Sequence, residues 1–479
     1  MQSKRDQVQA HMFVMGRLTS GMLRGDPDAP ESPQGRTNRG IALGVVIAVL
    51  LSAGAFVLGL LKPGTTDSWK EAGTLVVNKE TGSRYLYLDG RLRPVRNYAS
   101  ARLLAGAEMK TASVGGASLN GTPHGTPVGI TGAPDNLPAA GDLDTGAWQV
   151  CSGSTTGSAA TTLAVGADAD GQGLTAGQAL LVTGPDRADH LVWRGSKLRL
   201  DREGGAPEAL GYASTPRVRV SAAFLNSLPS GPGLEPPEVP GRGGKGPVLS
   251  GRETRIGEVF RITVPGAESR YHLLTEEGLA PLTATGAALV LGDPDTRKKV
   301  YEGRAAAAAD LGADALADHR APGAETTGAL PETPPEVVAL ADGRTVCARV
   351  QGGDSGTRVS VALIRRTALG PAAQAPAEGL TPACVQVGVI TVRPGGGALV
   401  HALGAGGGDV GGTVYLVTDT GMKYRIGTEK AAEALGYTAG GAQGLPAPLL
   451  AMLPTGPDLT AESAATGRTA TTAARCDPK

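Results

Sequence analysis

The stretch Ile41 to Leu61 is a run of 21 residues without a charged side chain. A helix of about 20 apolar residues crosses the hydrocarbon core of a bilayer, which is roughly 30 Å thick. The apolar region of a cleaved signal peptide is shorter, at about 7–15 residues, and sits close to the N-terminus. About 40 residues precede this stretch. We therefore expect an uncleaved anchor, residues 41–61, in a single-pass membrane protein.

The charges that flank this stretch predict its orientation. Positively charged flanks remain in the cytoplasm. The charges of the far flank, such as Lys62 and Asp67, cancel one another. We expect a cytoplasmic N-terminus, a cell-membrane location and about 418 residues outside the membrane. The basic residues before the stretch are Lys4, Arg5, Arg17, Arg24, Arg36 and Arg39.

Residues 4–24 have the spacing of an amphipathic helix. Its apolar face contains Val8, Met12, Met15 and Met22. Gly25 and Pro27 end the pattern, and residues 26–38 read as a linker. A Met-rich face suits a partner-docking helix because methionine adapts to varied surfaces. The alternative is a helix that lies on the lipid surface.

Composition narrows the class of protein. The 45 basic and 45 acidic side chains balance, so no nucleic-acid partner is indicated. With 72 Gly, 34 Pro and only 3% aromatic residues, we expect short strands, many turns and thin cores of Val, Leu and Ala. All four cysteines follow the apolar stretch, which suits disulfides in an oxidising exterior.

Four cysteines allow three pairings, and the residues alone do not choose among them. Cys151 and Cys347 both lie in strand-like segments, and a bridge between them would close a loop of roughly 200 residues. The C-terminal residues 463–479 would be free unless Cys476 pairs with Cys384.

Short units recur after the anchor. Residues 73–106 predict three strands and a helix, with Asp89-Gly90 as a hairpin turn. Related strand–turn–strand pieces occupy residues 179–201, 258–282 and 413–426.

The second and fourth of these units share more than a pattern. Glu208–Tyr212 equals Glu433–Tyr437, and Leu228–Pro232 matches Leu453–Pro457, both at an offset of 225. Agreement of two segments at one offset indicates an internal duplication. Shared turn chemistry is the alternative.

Strand-like inserts between these units predict one central sheet assembled from distant segments: Ala147–Cys151, Thr345–Gln351, Arg358–Ile364, Val385–Val392 and Ala398–Leu403. The Ala-rich residues 302–319 predict a helix.

The fold class expected is α+β, with an elongated exported domain of four small β-rich repeats around a central β-sheet. The boundaries predicted are 1–40 for the cytosolic helix and linker, 41–61 for the membrane helix, 62–72 for a linker, 73–106 for repeat 1, 107–176 for a loop and the first part of the central sheet, 177–256 for repeat 2 and a linker, 257–301 for repeat 3, 302–335 for a helix and Pro-rich loop, 336–411 for the second part of the central sheet, 412–462 for repeat 4, and 463–479 for the tail.

A search for chemistry yields no catalytic, cofactor or metal site. The nearest string to a phosphate-binding GxxxxGK(S/T) loop, Gly241 to Lys245, lacks the first Gly and the final Ser or Thr. Gly353-Asp354-Ser355-Gly356 resembles a protease nucleophile loop, but it joins two strands as a turn and no base accompanies it. The six histidines are scattered. The sequence favours assembly or binding over catalysis.

Several long strings carry a resemblance to a known family: residues 7–28 (QVQAHMFVMGRLTSGMLRGDPD), 88–106 (LDGRLRPVRNYASARLLAG), 128–138 (VGITGAPDNLP), 415–426 (YLVTDTGMKYRI), 432–437 (AEALGY) and 445–459 (LPAPLLAMLPTGPDL). In these strings the chain resembles EccB, the single-pass membrane component of actinobacterial type VII (ESX) secretion systems. The resemblance runs nearly from end to end.

The resemblance implies a cytosolic N-terminal helix, one membrane helix and an exported domain of four repeats, similar to the cell-wall-binding subunit of a phage lysin. It implies a bridge between Cys151 and Cys347, whereas Cys384 and Cys476 are additional to the family pattern. It also implies a structural core subunit that assembles with itself and with EccC, EccD, EccE and a mycosin-like protease.

Two other functions follow from the same resemblance. The lysin-like repeats suggest a module that binds peptidoglycan. Some family members are described as ATPases, but this sequence has no phosphate-binding loop to match. We expect no cofactor and no metal.

Overall fold

The computed structural model describes residues 4–26, 33–61, 67–153, 160–167, 171–263, 268–322, 330–353, 356–370, 381–404, 408–473 and 476. The chain divides into two compact units. The first unit comprises Met1–Leu92 and Thr111–His124, and the second comprises Arg93–Lys110 and Gly125–Lys479.

The helices in the described parts of the chain are α1 (Lys4–Arg24), α2 (Pro33–Leu61), α3 (Tyr98–Ala105), α4 (Gly116–Leu119), α5 (Ala206–Ala209), α6 (Ala222–Asn226), α7 (Ala284–Gly292), α8 (Pro294–Lys299), α9 (Ala313–His319), α10 (Glu429–Leu435), α11 (Ala447–Leu450) and α12 (Ala461–Thr466).

The strands in the same residues are β1 (Thr74–Asn78), β2 (Arg84–Leu88), β3 (Arg91–Pro94), β4 (Thr111–Val114), β5 (Trp148–Ser152), β6 (Thr161–Ala164), β7 (Gln172–Gly173), β8 (Gln178–Thr183), β9 (Asp189–Trp193), β10 (Ser196–Arg199), β11 (Val218–Arg219), β12 (Val259–Ile262), β13 (Arg270–Thr275), β14 (Gly278–Leu282), β15 (Ala309–Asp310), β16 (Glu336–Val337), β17 (Arg344–Gly353), β18 (Gly356–Arg365), β19 (Val389–Thr391), β20 (Gly397–Leu403), β21 (Asp409–Thr418), β22 (Lys423–Ile426) and β23 (Gln443–Pro446).

Helix α2 contains the apolar stretch. Its segment Thr37–Val57 is long and apolar enough to cross a membrane, and it is the one helix of the described residues that passes this test. The helix starts at Pro33, so the prediction that residues 26–38 form a linker was wrong for residues 33–38. Proline is favoured at the first turn of a helix, where its missing N–H has no partner to lose.

Four small sheets share one strand order in the described residues. In each, the first three strands form an antiparallel meander, and a fourth strand returns parallel to the first after a helical segment. The orders are β3-β2-β1-β4, β10-β9-β8-β11, β14-β13-β12-β15 and β22-β21-β20-β23. The short strand β16 also pairs with β8 in the second of these sheets.

The parallel fourth strand lies outside the unit expected from the sequence in each sheet, which was three strands and a helix for residues 73–106 and a strand–turn–strand piece for the other three. In the first sheet, β4 pairs with β1 from Leu75↔Thr111 to Asn78↔Val114, past the predicted repeat boundary at residue 106. In the third sheet, β15 pairs with β12 through Phe260↔Ala309. The helix predicted over residues 302–319 is therefore wrong before Ala313, where α9 begins. Pairing with a strand some 50 residues away overrides the helix propensity of alanine there.

A six-stranded sheet, in the order β19-β6-β5-β17-β18-β7, joins segments from residues 148–173 with segments from residues 344–391. The long hairpin β17–β18 pairs from Arg344↔Arg365 to Gly353↔Gly356. The segment Ala398–Leu403, expected in this sheet, belongs instead to β20 of the fourth small sheet. There it pairs antiparallel with β21. The predicted block 336–411 therefore does not belong to the central sheet over its whole length.

One face of the six-stranded sheet forms the main core of the second unit. Trp148 and Val350 from this sheet pack in one cluster with Val192 of the second small sheet and Val400 of the fourth. The opposite faces of those two small sheets have separate cores. In the second sheet that core includes Leu289 of α7, and in the fourth sheet it includes α3 and α10.

Candidate functional site

The described residues contain no group of three or more His, Cys, Asp or Glu side chains that could hold a metal ion. His190 lies on β9 and His272 on β13, in separate sheets, and both rings are buried. The Nδ1 atoms of the two rings have no hydrogen-bond partner among the described residues. Burial lowers the pKa of both histidines below 6.5, so each ring is neutral at pH 7.

The glycine-rich stretch that ends at Lys245 is a hydrogen-bonded turn. The N–H of Gly243 donates to the carbonyl of Ile256 at 2.8 Å, and the N–H of Gly244 donates to Gly241 at 2.8 Å. Lys245 forms an antiparallel bridge with Arg255. A phosphate loop needs free backbone N–H groups that point at the ligand. Two N–H groups of this turn are already occupied.

The loop that resembles a protease nucleophile turn is the end of the β17–β18 hairpin. Gly353 and Gly356 pair across it, and Asp354 and Ser355 lie outside the described residues.

A charged cavity of about 890 Å³ opens beside the second small sheet. At its base, the side chain of Asp189 is fully buried. It accepts hydrogen bonds from Thr183 Oγ1 at 2.6 Å, from Arg202 at 2.7 and 3.0 Å, and from Arg217 Nε at 2.8 Å. Burial by itself raises the pKa of Asp189, but these hydrogen bonds and the charge of Arg217 outweigh it, and the pKa lies below 3.8.

Both carboxylate oxygens of Asp189 thus accept hydrogen bonds from other side chains of the protein. This cluster fastens β9 to the chain around α5 and β11. Asp189 carries no signal in the sequence, because neither its neighbours nor its spacing to Arg202 and Arg217 matches a motif. A buried carboxylate with two arginine partners is a structural ion-pair network.

The structure pairs Cys151 with Cys347 and Cys384 with Cys476. Cys151 on β5 and Cys347 on β17 are direct partners in the antiparallel register, 196 residues apart in sequence. Their residues are 2% and 0% exposed, beneath Ile364 and Leu369. This bridge joins the early and late parts of the six-stranded sheet.

The Cys384–Cys476 bridge lies at the surface, and both residues are exposed. Cys384 is in a segment that runs antiparallel to Thr455, through the pair of hydrogen bonds that Thr381 and Thr455 exchange. The bridge links this segment to the end of the chain, 92 residues later.

The second and fourth small sheets have matching polar contacts. In the shared EALGY segment, the Tyr212 hydroxyl donates to the Pro335 carbonyl and the Tyr437 hydroxyl donates to the Pro138 carbonyl, each at 2.8 Å. Burial raises the pKa of Tyr212 to about 12.

A lysine on the third strand provides the second match. Lys197 Nζ donates to the Leu225 carbonyl of α6, and Lys423 Nζ donates to the Leu450 carbonyl of α11. Leu225 and Leu450 lie 225 positions apart, at the offset found in the sequence. Burial lowers the pKa of Lys423 to about 8. These contacts support an internal duplication.

Helix α1 presents an apolar surface. Val8, Met12, Met15 and Met22 are 61%, 71%, 52% and 81% exposed, so the Met face has no cover in the described residues. Ser20 of the same helix is buried. A helix with an uncovered apolar face has to bury it against a partner or a lipid surface.

Comparisons with known proteins agree with this architecture. Residues 1–473 match a family described as "Type VII secretion system ESX-1, transport TM domain B". The ESX-3 secretion system ATPase EccB3 of Mycolicibacterium smegmatis is 28% identical over 458 residues, which are 91% of this chain and 85% of that protein. The ESX-1 secretion system ATPase EccB1 of Mycobacterium tuberculosis is 27% identical over 475 residues, 96% and 93% of the two chains.

Solved structures share the fold. A chain of an intact ESX-5 inner membrane complex superposes with a TM-score of 0.66 at 23% identity, covering 97% of this chain and 95% of that one. The EccB3 dimer from the ESX-3 core complex gives a TM-score of 0.65 at 24% identity, with coverage of 82% and 99%.

Proposed function

This chain belongs to the EccB family of type VII secretion systems, and on that premise we propose that it is a structural core subunit of an ESX inner membrane complex. The observation that carries the proposal is the match of the family over residues 1–473, from the N-terminal helix to the C-terminal tail. Among the described residues, one helix is long and apolar enough to span a membrane, and a disulfide links the early and late parts of the six-stranded sheet in the second unit.

We propose that α2 spans the membrane with the N-terminus in the cytoplasm. The basic residues that precede the span, among them Lys4 and Arg17, support this orientation, since positive flanks are retained inside. Protease added to spheroplasts tests it. The expected result is digestion of the large C-terminal part and protection of an N-terminal epitope, and the opposite pattern would reverse the proposed topology.

We also propose that the four small sheets are copies of one repeat. Their common strand order supports this, as do the matched tyrosine and lysine contacts of the second and fourth sheets. Repeated small units of this kind commonly present extended surfaces to partners.

Helix α1 is the proposed docking element for neighbouring subunits. Its Met face, defined by Val8, Met12, Met15 and Met22, is exposed and adaptable. The partners expected from the family are EccC, EccD, EccE and a mycosin-like protease, together with a second copy of this chain. The solved relatives, a chain of an ESX-5 inner membrane complex and an EccB3 dimer from the ESX-3 core complex, support assembly of this kind.

Affinity purification of the tagged full chain in mild detergent, followed by mass spectrometry, tests the proposal. Recovery of the EccC-like motor subunit is the expected result. Recovery of the chain alone, from cells that express the other components, would contradict a core role.

A pair of variants assigns the docking to the Met face. Met12→Glu together with Met15→Glu places two charges on it, and we expect at least a tenfold lower yield of partner subunits because about 2–3 kcal/mol of apolar burial is lost. Ala10→Glu adds a charge on the opposite side of α1, because the exposed Ala10 lies two positions from both Val8 and Met12 in the helix, and it serves as the control. Equal recovery from both variants would exclude docking through this face.

The relatives named above are called ATPases. In this chain, the occupied amides of Gly243 and Gly244 give no support to a nucleotide site at Lys245. Hydrolysis of ATP by the purified full chain, retained through successive columns and lost in Lys245→Ala, would add an enzymatic function to the structural one.

A further inference from the structure

The two disulfides differ in the access that solvent has to them. Cys151 and Cys347 lie between β5 and β17 under a cluster that includes Ala164, Ile364 and Leu369. Cys384 and Cys476 are exposed. Thiol–disulfide exchange requires a thiolate to reach one sulfur of the bridge, so access separates the two bridges chemically.

The exposed bridge joins a fixed segment to a lightly held one. On the Cys384 side, Thr381 exchanges two backbone hydrogen bonds with Thr455, and the Val385 N–H donates to the Ala451 carbonyl at 3.1 Å. Cys384 is thus held between two points that are anchored to the fourth small sheet.

On the Cys476 side, the last contacts before the bridge are made with one buried carboxylate. The Asp458 N–H donates to the Ala470 carbonyl at 2.8 Å, and the Asp458 carboxylate accepts from the Thr472 N–H at 3.0 Å and from its hydroxyl at 2.6 Å. Residues 468–472 are otherwise exposed. Among the described residues after Thr472, the disulfide of Cys476 is what attaches the chain to the rest of the protein.

We propose that Cys384–Cys476 is a thiol-exchange site of the folded protein, at which an external thiol opens the bridge and releases the C-terminal end while Cys151–Cys347 remains closed. This inference is independent of the assembly role proposed above. It assigns to Cys384 a chemistry that the buried bridge lacks, because Cys384 stays in place on the surface when its partner leaves.

The exchange is balanced by two external thiols. A thiolate attacks Sγ of Cys384, forming a mixed disulfide, and Cys476 leaves as a thiolate that takes a proton from water. A second thiolate attacks the external sulfur of the mixed disulfide, which leaves Cys384 as a thiol and releases the oxidised external disulfide. Two electrons pass from the external thiols to the protein.

The test uses the full chain in detergent micelles without denaturant. Reduced glutathione is the small-thiol probe in one arm, and thioredoxin with its reductase is the protein probe in the other. Samples are quenched with iodoacetamide over time, and peptide mapping reports each cysteine. We expect Cys384 and Cys476 to be alkylated about 1000-fold faster than Cys151 and Cys347, which become accessible only on unfolding.

Either probe acting alone supports the site and identifies the kind of thiol that it accepts. Equal alkylation rates for the two bridges would overturn the proposal, and so would a bridge at Cys384 that resists both probes until denaturant is added.

A second readout follows the tail. Trypsin cleaves after Arg468, an exposed residue, and we expect opening of the bridge to speed this cleavage about tenfold. The variant Cys384→Ser/Cys476→Ser should be cleaved at the fast rate without any thiol, while its melting temperature stays within about 2 °C of the wild type. Cleavage that is equally slow in this variant would show that the bridge does not hold the tail.

Discussion

Replacement of Asp189 by alanine is the sharpest test of how the second small sheet is held. The wild-type carboxylate is fully buried and accepts hydrogen bonds from Thr183, Arg202 and Arg217. The substitution removes these acceptors and leaves two guanidinium groups without their anion. Breaking a buried pair by removing one partner costs about 3–5 kcal/mol.

The exposure of the two arginines sets the magnitude within that range. The Arg202 side chain is 56% exposed and can be rehydrated when the carboxylate is lost, whereas the Arg217 side chain is only 27% exposed. We therefore expect a loss of about 3 kcal/mol in the free energy of unfolding, at the lower end of the range for buried pairs. That loss corresponds to a melting temperature lower by roughly 3–4 °C, because the entropy of unfolding of a chain of 479 residues is about 1 kcal/mol/K.

Thermal unfolding of the full chain in detergent, followed by tryptophan fluorescence, measures this effect. Trp193 lies on the same strand as Asp189 and reports locally, since its indole N–H donates to the Ala176 carbonyl at 2.8 Å. Asp310→Ala is the matched control. It removes the carboxylate of an exposed pair with Arg261, for which we expect at most about 0.5 kcal/mol.

The pH dependence supplies an independent check. The pKa of Asp189 is lowered in the folded protein, so its contribution to stability is present above the unfolded value of 3.8 and is lost as the pH falls through the folded-state value. Asp189→Asn cannot titrate, and the difference in melting temperature between it and the wild type should shrink below about pH 4. If Asp189→Ala melts no lower than Asp310→Ala, the buried carboxylate is not what fastens β9.

Three further predictions use the same thermal assay. Because burial lowers the pKa of His190 and His272, protonation favours the unfolded chain, and the melting temperature should fall as the pH drops below about 6.5. Substitution of both histidines by Gln should flatten the dependence of the melting temperature on pH between 6.5 and 5. If this dependence is unchanged in the double variant, the rings are solvated. Lys423→Met should lower the free energy of unfolding by about 1–3 kcal/mol, because it leaves the carbonyl oxygens at and just after the end of α11 without a hydrogen-bond donor. An unchanged free energy of unfolding would mean that water replaces the ammonium group. Gly195→Ala should cost about 2 kcal/mol or more in the free energy of unfolding, because Gly195 has a positive φ of +77° and a Cβ there would clash with the Val359 carbonyl oxygen. Wild-type stability of this variant would show that β18 moves aside at little energetic cost.

The functional residues differ in whether their positions can be predicted from residue spacing in the sequence. The Met face of α1 could be predicted, because positions 8, 12, 15 and 22 recur with the period of a helix and need no information from elsewhere in the chain. The Asp189 cluster could not be, because Arg202 and Arg217 approach it only through the packing of β9 against the segments around α5 and β11. The same is true of Lys423, whose acceptors, the carbonyls of Leu450 at the end of α11 and of Leu453 beyond it, lie 27 and 30 residues away in sequence.

The features of the fold likewise separate into those that local sequence predicts and those that tertiary contacts set. Sequence by itself determined the apolar span, the helix α1, the antiparallel meanders and the two matching segments at an offset of 225, since each depends on local periodicity, on a tight turn or on direct comparison of residues. The expectation for residues 302–319 failed because alanine propensity is a local signal, while β15 owes its strand to pairing with Phe260 and Arg261.

Only the tertiary structure decided which strands complete each sheet, that β20 belongs to the fourth small sheet, and which cysteines are buried. Parallel strands need a crossover connection, so the partner of β1 or β12 lies tens of residues away and leaves no periodic trace. The burial of Cys347 and the exposure of Cys384 are likewise set by what packs over each bridge, and such packing comes from chain segments far apart in sequence.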